Sequence, residues 1–464
     1  MQQFLTWCQE QGIRYNNVDI KQTDYAGHGL FLNSTWNDST SSLVHIPQNL
    51  VLTASTLLTL STKFVNVLDT ALSPSTLPLD QRIQLPGNDR TSLRLFLAYE
   101  INQDKKQNNE SSFWQHYIHS LPSLSFFQEN HVLFLDPDDL LFQLLEGTSI
   151  ASSIRAKQAS LKREWDHLHA LWDMTFEDWL LADTLFWSRV VRLTNGDTNN
   201  DDDDDGTGDL ALIPFFDLAN HSTQPTIRWQ LSNDGLDLVP FDVPIRDGTE
   251  LCLSYGQKPN QELLFLHGFT LEDNPVVGQT TFSLSPFLNP GMDEESALKC
   301  QWLQQLDQFK PLLVLTQPSQ SGLFGQTGWT FESICMMYLA ALDQDDKSSS
   351  VQLSLEGKKL TTWNDLSSAV EVLPHAPVIQ LRVVMMLLDA SRYHLQQISD
   401  HDTILEESDD LSERNLTCHI VRYRDEERQR LQQSVDSLSQ LSEELMQNPV
   451  VKDYLDAMNA DDDS

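Results

Sequence analysis

The chain predicts an α+β fold, with short strands on either side of a helical stretch and a mainly helical C-terminal half. Three observations carry this expectation. Strand-like alternation occupies 13–50 and returns over 209–269, helix-period apolar positions fill most of 51–193, and helical patterns dominate beyond 290. At 464 residues the chain exceeds the roughly 250–300 at which one hydrophobic core stops growing, so two compact units are expected.

The elements follow in order. Ile13 to Ile20 alternates as a strand does, Gly27-His28-Gly29 reads as a break, and Leu30-Phe31-Leu32 and Leu43-Val44-His45-Ile46-Pro47 read as further strands. The period then becomes helical: Leu93, Phe96, Leu97 and Ile101 share one face, and so do Ile150, Ile154, Leu161, Trp165, Leu168 and Leu171. Pro137-Asp138-Asp139 starts a helix and Gly147 stops it. Thr175-Phe176-Glu177-Asp178 is a capping signal for a helix through Trp179, Ala182, Phe186 and Arg189. Strands are expected at Leu210–Pro214, Thr226–Leu231, Leu236–Val239 and Glu250–Tyr255, with turns at Asn233-Asp234-Gly235 and Asp247-Gly248. After a joint at 274–291 the chain is helical, and Leu431, Val435, Leu438, Leu441 and Leu445 form an apolar stripe whose simplest use is core packing.

Between the helical stretch and the second strand region lies a run of five aspartates, Asp201 to Asp205, read as a solvated loop. Its first half resembles a calcium loop, but the position of the bidentate glutamate holds Leu212. Gly206, Gly208 and Ala211 match a dinucleotide fingerprint by letter only. They follow acid rather than a strand, and Pro214 interrupts the helix that would receive the phosphate. No metal site is expected.

Thirty basic against 67 acidic side chains give a formal charge of −37, which repels nucleic-acid backbones and anionic membranes and favours a basic protein as partner. The five cysteines form no C-x-x-C pair, so neither a disulfide framework nor a zinc cluster is indicated. The N-terminus lacks a basic segment followed by an apolar one, and no window approaches the ~20 apolar residues of a membrane span. A cytoplasmic or nuclear monomer is expected.

Two signatures carry the chemistry. Asp217-Leu218-Ala219-Asn220-His221-Ser222 is followed by Tyr255-Gly256 and then Asn260-Gln261-Glu262-Leu263-Leu264-Phe265-Leu266-His267-Gly268-Phe269. Upstream, Arg189 ends the apolar run Leu185-Phe186-Trp187-Ser188, where a buried guanidinium needs an anionic partner: a ligand carboxylate or an acid of the chain itself.

Together these segments resemble the SET-domain methyltransferases, specifically the group containing the Rubisco large-subunit and fungal ribosomal-protein lysine methyltransferases and the actin-histidine methyltransferase. Gly27-His28-Gly29-Leu30-Phe31 resembles the family's opening turn, and Tyr117-Ile118-His119-Ser120-Leu121-Pro122 and Leu145-Glu146-Gly147-Thr148 resemble markers of its helical insertion. The resemblance implies a SET domain of short β-sheets split into 1–80 and 209–272, with a helical insertion at 81–194 and the acidic loop at 195–208. An all-α C-terminal domain at 290–464 would follow, similar to a substrate-binding domain. It implies S-adenosylmethionine as cofactor, bound by Gly29, Leu30, Arg189, Asp217, Asn220, His221, Gly268 and Phe269, with Phe269 packing on the adenine. Tyr255 would be the catalytic residue, and Phe215 and Phe216 would line the substrate channel. The implied activity is protein-lysine N-methylation of a basic non-histone protein, ribosomal proteins first. Histone-lysine or protein-histidine methylation and a catalytically silent SET scaffold are the alternatives. The chain departs from the family at Phe31, where relatives place an arginine or another polar residue, and at Leu52-Thr53-Ala54-Ser55, where some carry a glutamate.

Overall fold

A computed structural model describes residues 1–23, 27–57, 88–105, 112–169, 174–193, 208–306, 309–319, 321–342, 354–355, 358–407 and 414–462. The aspartate run, Gly206 and Leu171 lie outside these residues. The chain divides into two compact units, Met1–Phe134 with Ile154–Phe269, and Leu135–Ser153 with Thr270–Ser464.

In the first unit a four-stranded antiparallel sheet runs in the order Arg14–Tyr15, Val44–Pro47, Gly235–Pro240, Ile227–Ser232. Val44 pairs with Leu238 and Ile46 with Leu236. All four side chains are fully buried, which fixes the register because a one-residue slip would turn them to solvent. The turn expected at Asn233-Asp234-Gly235 is present, and only glycine fits its end: a Cβ on Gly235 would lie 2.0 Å from the Ile46 carbonyl oxygen. Asn17, at φ 55°, separates Arg14–Tyr15 from Val18–Thr23, a left-handed position that asparagine tolerates better than most residues. Leu52–Thr53, Asp209–Leu212 and Val191–Leu193 form a second antiparallel sheet, with Asp209–Leu212 in the middle.

Two strand expectations are corrected. Gly27-His28-Gly29 does not break the chain but belongs to strand Gly27–Leu32, paired along its length with Val18–Thr23. Glu250–Tyr255 forms no regular strand; it makes only isolated bridges, Phe31 with Glu250 and His221 with Leu253. Its N–H groups go to different partners: Leu251 donates to the Leu30 carbonyl, Cys252 to Thr226 Oγ1, Leu253 to the Asn220 carbonyl and Tyr255 to His221 Nδ1. A ladder with one neighbour is replaced by ties to several segments. Those ties bring Gly29, Asn220, His221 and Tyr255 together.

The helical stretch forms as its period dictates. Leu93, Phe96, Leu97 and Ile101 are buried on helix Asn88–Lys105, which packs against helix Phe176–Arg189. The latter starts at the expected capping box: Asp178 N donates to Thr175 Oγ1 at 3.2 Å, and Thr175 N donates to Asp178 Oδ2 at 3.2 Å. Between these helices lies a buried charge cluster. Arg94 holds Glu164 at 2.5 Å and Asp183 at 2.7 Å, Lys157 reaches Asp183 at 2.9 Å, and the Arg94 guanidinium lies 4.4 Å over the Trp179 ring. Trp179 also donates Nε1–H to Glu164 at 3.2 Å.

In the second unit the apolar stripe of helix Asn415–Met446 is buried in a core shared with helix Ala376–Asp400, in agreement with a packing role. Segment 135–153 joins this unit through hydrogen bonds. Ser149 N donates to Glu427 Oε1 at 2.8 Å, Ser149 Oγ to Oε2 at 3.2 Å, and Arg414 meets Asp139 at 3.2 Å. Asp139 caps helix Leu140–Leu145 at the place where the proline-acid start signal stands. The unit is helical as expected but also carries two strand pairs, Thr280–Ser283 with Leu312–Leu315 and Ser354–Leu355 with Lys358–Lys359. The β-branched and aromatic run Thr280-Thr281-Phe282, read as part of a joint, explains the first pair.

Candidate active site

Tyr255 and His221 form the centre of the candidate site. The Tyr255 hydroxyl donates to the Ala219 carbonyl at 2.9 Å, so its oxygen lone pairs stay available as acceptors. Burial pushes the Tyr255 pKa up, which keeps the phenol neutral, although the nearby Arg189 charge pulls the other way. His221 Nδ1 accepts the Tyr255 N–H at 3.0 Å, which assigns the imidazole proton to Nε2. Burial lowers the His221 pKa, so the ring is neutral at physiological pH. Its ring lies 5.1 Å from Tyr255 and 6.2 Å from Phe269.

Asn220 sits beside them on the other side of the Leu253 bridge. Its Nδ2 donates to Glu250 Oε1 at 2.8 Å and faces the His28 carbonyl at 3.4 Å, leaving Oδ1 without a hydrogen-bond partner among the described residues. Gly29 is required here by contact: a Cβ would lie 2.6 Å from Glu250 Oε1 and 2.9 Å from Asn220 Nδ2. Gly29→Ala is therefore expected to separate that pair and weaken any ligand held at Asn220, while circular dichroism and melting temperature stay near wild type. Unchanged ligand affinity in a folded variant would contradict the expectation.

Arg189 and Asp217 come together, but mainly with each other. Asp217 Oδ2 accepts the Tyr117 hydroxyl at 3.0 Å and lies 3.5 Å from Arg189 Nε, while Arg189 Nη1 donates to Ser188 Oγ at 2.9 Å. The acid partner demanded by a buried guanidinium is thus an acid of the chain. Burial raises the Asp217 pKa, opposed by Arg189 and by the Tyr117 hydrogen bond.

The remaining predicted residues divide. Phe269 belongs to the ring cluster, 5.9 Å from His267. Gly268 ends helix Asn260–His267 in the left-handed conformation, and a Cβ there would meet the Asn130 carbonyl oxygen at 2.5 Å, so its role is to pin that helix end. Leu30 is fully buried, with its carbonyl holding Leu251. Phe215 is fully buried and stacks on Tyr15 at 4.9 Å, at a positive φ of 72°; Phe216 is also buried. Both phenylalanines are buried, Phe215 against Tyr15. Glu250 and His131 carry no role in the sequence, and Tyr117 and His267 stand inside recognised segments without a site role of their own. Glu250 had a signal, since a single acid opening the run Leu251-Cys252-Leu253 needs a partner. The Ala219 carbonyl had none.

His131, almost fully buried, packs its ring edge on Gly268 and accepts the Leu133 N–H at Nδ1 at 3.3 Å. Burial lowers its pKa to about 4 against an ordinary 6.5. The unfolded chain therefore binds more protons between those values, so the contribution is intact above pH ~6.5 and falls away as pH drops through ~4, by about 3 kcal/mol. His131→Phe is expected to make the acid-side decline of unfolding free energy shallower in this window. An equal slope in both proteins would contradict it.

No family model matches the chain. Its sequence relatives include SET domain-containing protein 8 of Schizosaccharomyces pombe, 24% identical over 382 residues covering 79% of each chain. They also include the ribosomal lysine N-methyltransferase set10 of the same yeast, 26% identical over 78% of this chain and 60% of the relative. The actin-histidine N-methyltransferase of Xenopus tropicalis is 23% identical over 59% of this chain and 43% of the relative. The chain thus spans less than two thirds of each of the last two. Among solved structures, Rubisco LSMT bound to AdoMet aligns at a TM-score of 0.66 and 17% identity, covering 96% of this chain and 93% of that one. The SET domain of LSMT bound to lysine and AdoHcy aligns at 0.67 and 18%. SET-domain proteins, a methyltransferase among them, are thus relatives of this chain in sequence. In fold it is of the Rubisco large-subunit methyltransferase type.

Proposed function

We propose that this protein is an S-adenosylmethionine-dependent protein-lysine N-methyltransferase acting on a basic non-histone protein, with ribosomal proteins the first candidates. The observation that carries the reading is the convergence of Tyr255, His221, Asn220 and Gly29 on one point through the Glu250–Tyr255 segment. The residues fit the donor: the free Asn220 Oδ1, the Nε2–H of His221 and the Phe269 ring offer an acceptor, a donor and an aromatic face. Arg189, beside Asp217, supplies cationic character toward a carboxylate. When bound, the sulfonium supplies an electrophilic methyl group. The protein's own work is positioning and exclusion of water. A lysine attacks only when neutral, and a buried site with His221 and Tyr255 both neutral favours that form by desolvation. The net charge of −37 favours a basic protein target.

Protein-histidine methylation is the second reading, supported by the actin-histidine relative. Calorimetric titration with S-adenosylmethionine tests the cofactor assignment. Wild type is expected to bind, and Asn220→Ala to lose about ten-fold or more in affinity while remaining folded, through loss of the carbonyl acceptor and release of Glu250. Equal affinity in a folded Asn220→Ala would remove this residue from the site.

A further inference from the structure

Four rings close a circuit at the site. Tyr255 lies 5.1 Å from both His221 and His267, and Phe269 lies 6.2 Å from His221 and 5.9 Å from His267. His267 differs from the other polar members. Its Nε2 is buried and has no hydrogen-bond partner among the described residues, whereas His221 is held by the Tyr255 N–H and Tyr255 by the Ala219 carbonyl. It occupies the last position of helix Asn260–His267, whose end is fixed by Gly268 against Asn130, so the ring has an anchored backbone. A buried polar nitrogen left unpaired is costly, and such an atom beside a reactive centre is best explained by a ligand group that satisfies it.

We propose that His267 accepts an N–H of the nitrogen to be methylated, so that the target is held by two acceptors, the Tyr255 oxygen and the His267 imidazole nitrogen. The inference rests on the methyltransferase reading above. A neutral primary amine has two N–H bonds and one lone pair. With both N–H bonds directed to acceptors, the lone pair is aimed at the methyl group. An imidazole target has no N–H on its attacking nitrogen and cannot use the pair in this way, so the arrangement selects lysine. As the lone pair forms the N–CH3 bond, the C–S pair remains on sulfur, and the nitrogen becomes a methylammonium retaining both N–H bonds.

His267 is an acceptor here and not a base. Burial lowers its pKa to about 3, and Lys258, His131, His221 and Arg189, the charged and titratable groups facing it, act in the same direction. It therefore cannot hold the proton of an ammonium against solvent, and the proton leaves with the product.

The test uses the full chain labelled with 15N-histidine and saturated with S-adenosylhomocysteine. Free L-lysine is added at a pH where its side chain is partly neutral, with L-norleucine as the control lacking the amine. Lysine is expected to shift the His267 Nε2 resonance upfield as it becomes a hydrogen-bond acceptor, and norleucine to leave it in place. In parallel, His267→Phe, which keeps a ring, is expected to weaken lysine about ten-fold with donor affinity within two-fold. His267→Asn, which restores an acceptor, is expected to recover part of the loss. Donor binding with no lysine-dependent shift at Nε2 would overturn this proposal and leave the methyltransferase reading standing. Absence of donor binding would overturn both.

Discussion

Replacing Tyr255 by phenylalanine is expected to lower methyl transfer about 10²-fold or more while S-adenosylmethionine still binds. The substitution keeps the ring that contacts His221 and His267 and removes only the hydroxyl. Two things are lost with it. One is the hydrogen bond to the Ala219 carbonyl, worth about 1 kcal/mol of stability. The other is the oxygen proposed to orient the attacking nitrogen, and loss of a positioned polar group at a reacting centre typically costs that factor in turnover. The effect therefore falls on single-turnover rate more than on donor affinity. A purely structural tyrosine would give the reverse pattern, with modest destabilisation and a normal rate in the folded fraction.

The second large effect concerns stability. Arg94→Met is expected to cost about 3–5 kcal/mol, because it leaves the buried carboxylates of Glu164 and Asp183 without their shared guanidinium. Lys157 partly compensates Asp183, and the Trp179 N–H remains on Glu164, so Glu164 bears most of the loss. Urea unfolding followed through the first unit's tryptophans would show a lower midpoint with an unchanged m-value. A shift worth under 1 kcal/mol would show that the cluster is screened by water. Exchanging Arg94, Glu164 and Asp183 together for apolar residues of similar volume is expected to cost less than the single change, since no charge is then stranded.

What could be read in the sequence was local. The capping box at Thr175 and Asp178, the start signal at Asp139 and the stripe from Leu431 to Leu445 are each specified within one helix, and each forms. Strand alternation located Val44–Pro47 and the hairpin closing at Gly235 for the same reason. The site itself was legible as two motifs but not as a geometry. Tyr117 and Asp217 are 100 residues apart, and nothing in the sequence around either announces their hydrogen bond. Glu250–Tyr255 alternates like a strand, yet its N–H groups are shared among Leu30, Thr226 and the Asn220-His221 pair, which only the tertiary fold assembles. Gly29 read as a break because glycine usually interrupts a strand. Here it is in the strand so that Asn220 and Glu250 can approach.

Phe215 and Phe216 show the limit of motif adjacency. Their place beside Asp217 suggests a channel wall, while the contact that is visible, Phe215 stacked on Tyr15 just before the 3-10 turn Phe216–Leu218, is one that adjacency in sequence does not announce. His267 shows the opposite limit. It lies within a recognised segment, but its unpaired nitrogen is visible only once the rings around it are in place.

The most direct measurement is transfer itself. The protein is incubated with methyl-labelled S-adenosylmethionine and a cell extract, beside Tyr255→Phe, and the labelled residue is located by mass spectrometry. The account predicts label on a lysine side chain of a basic protein with the wild type and almost none with the variant. Label on histidine would move the activity to the second reading, and equal labelling by both proteins, or no donor binding by the wild type, would contradict the active site described here.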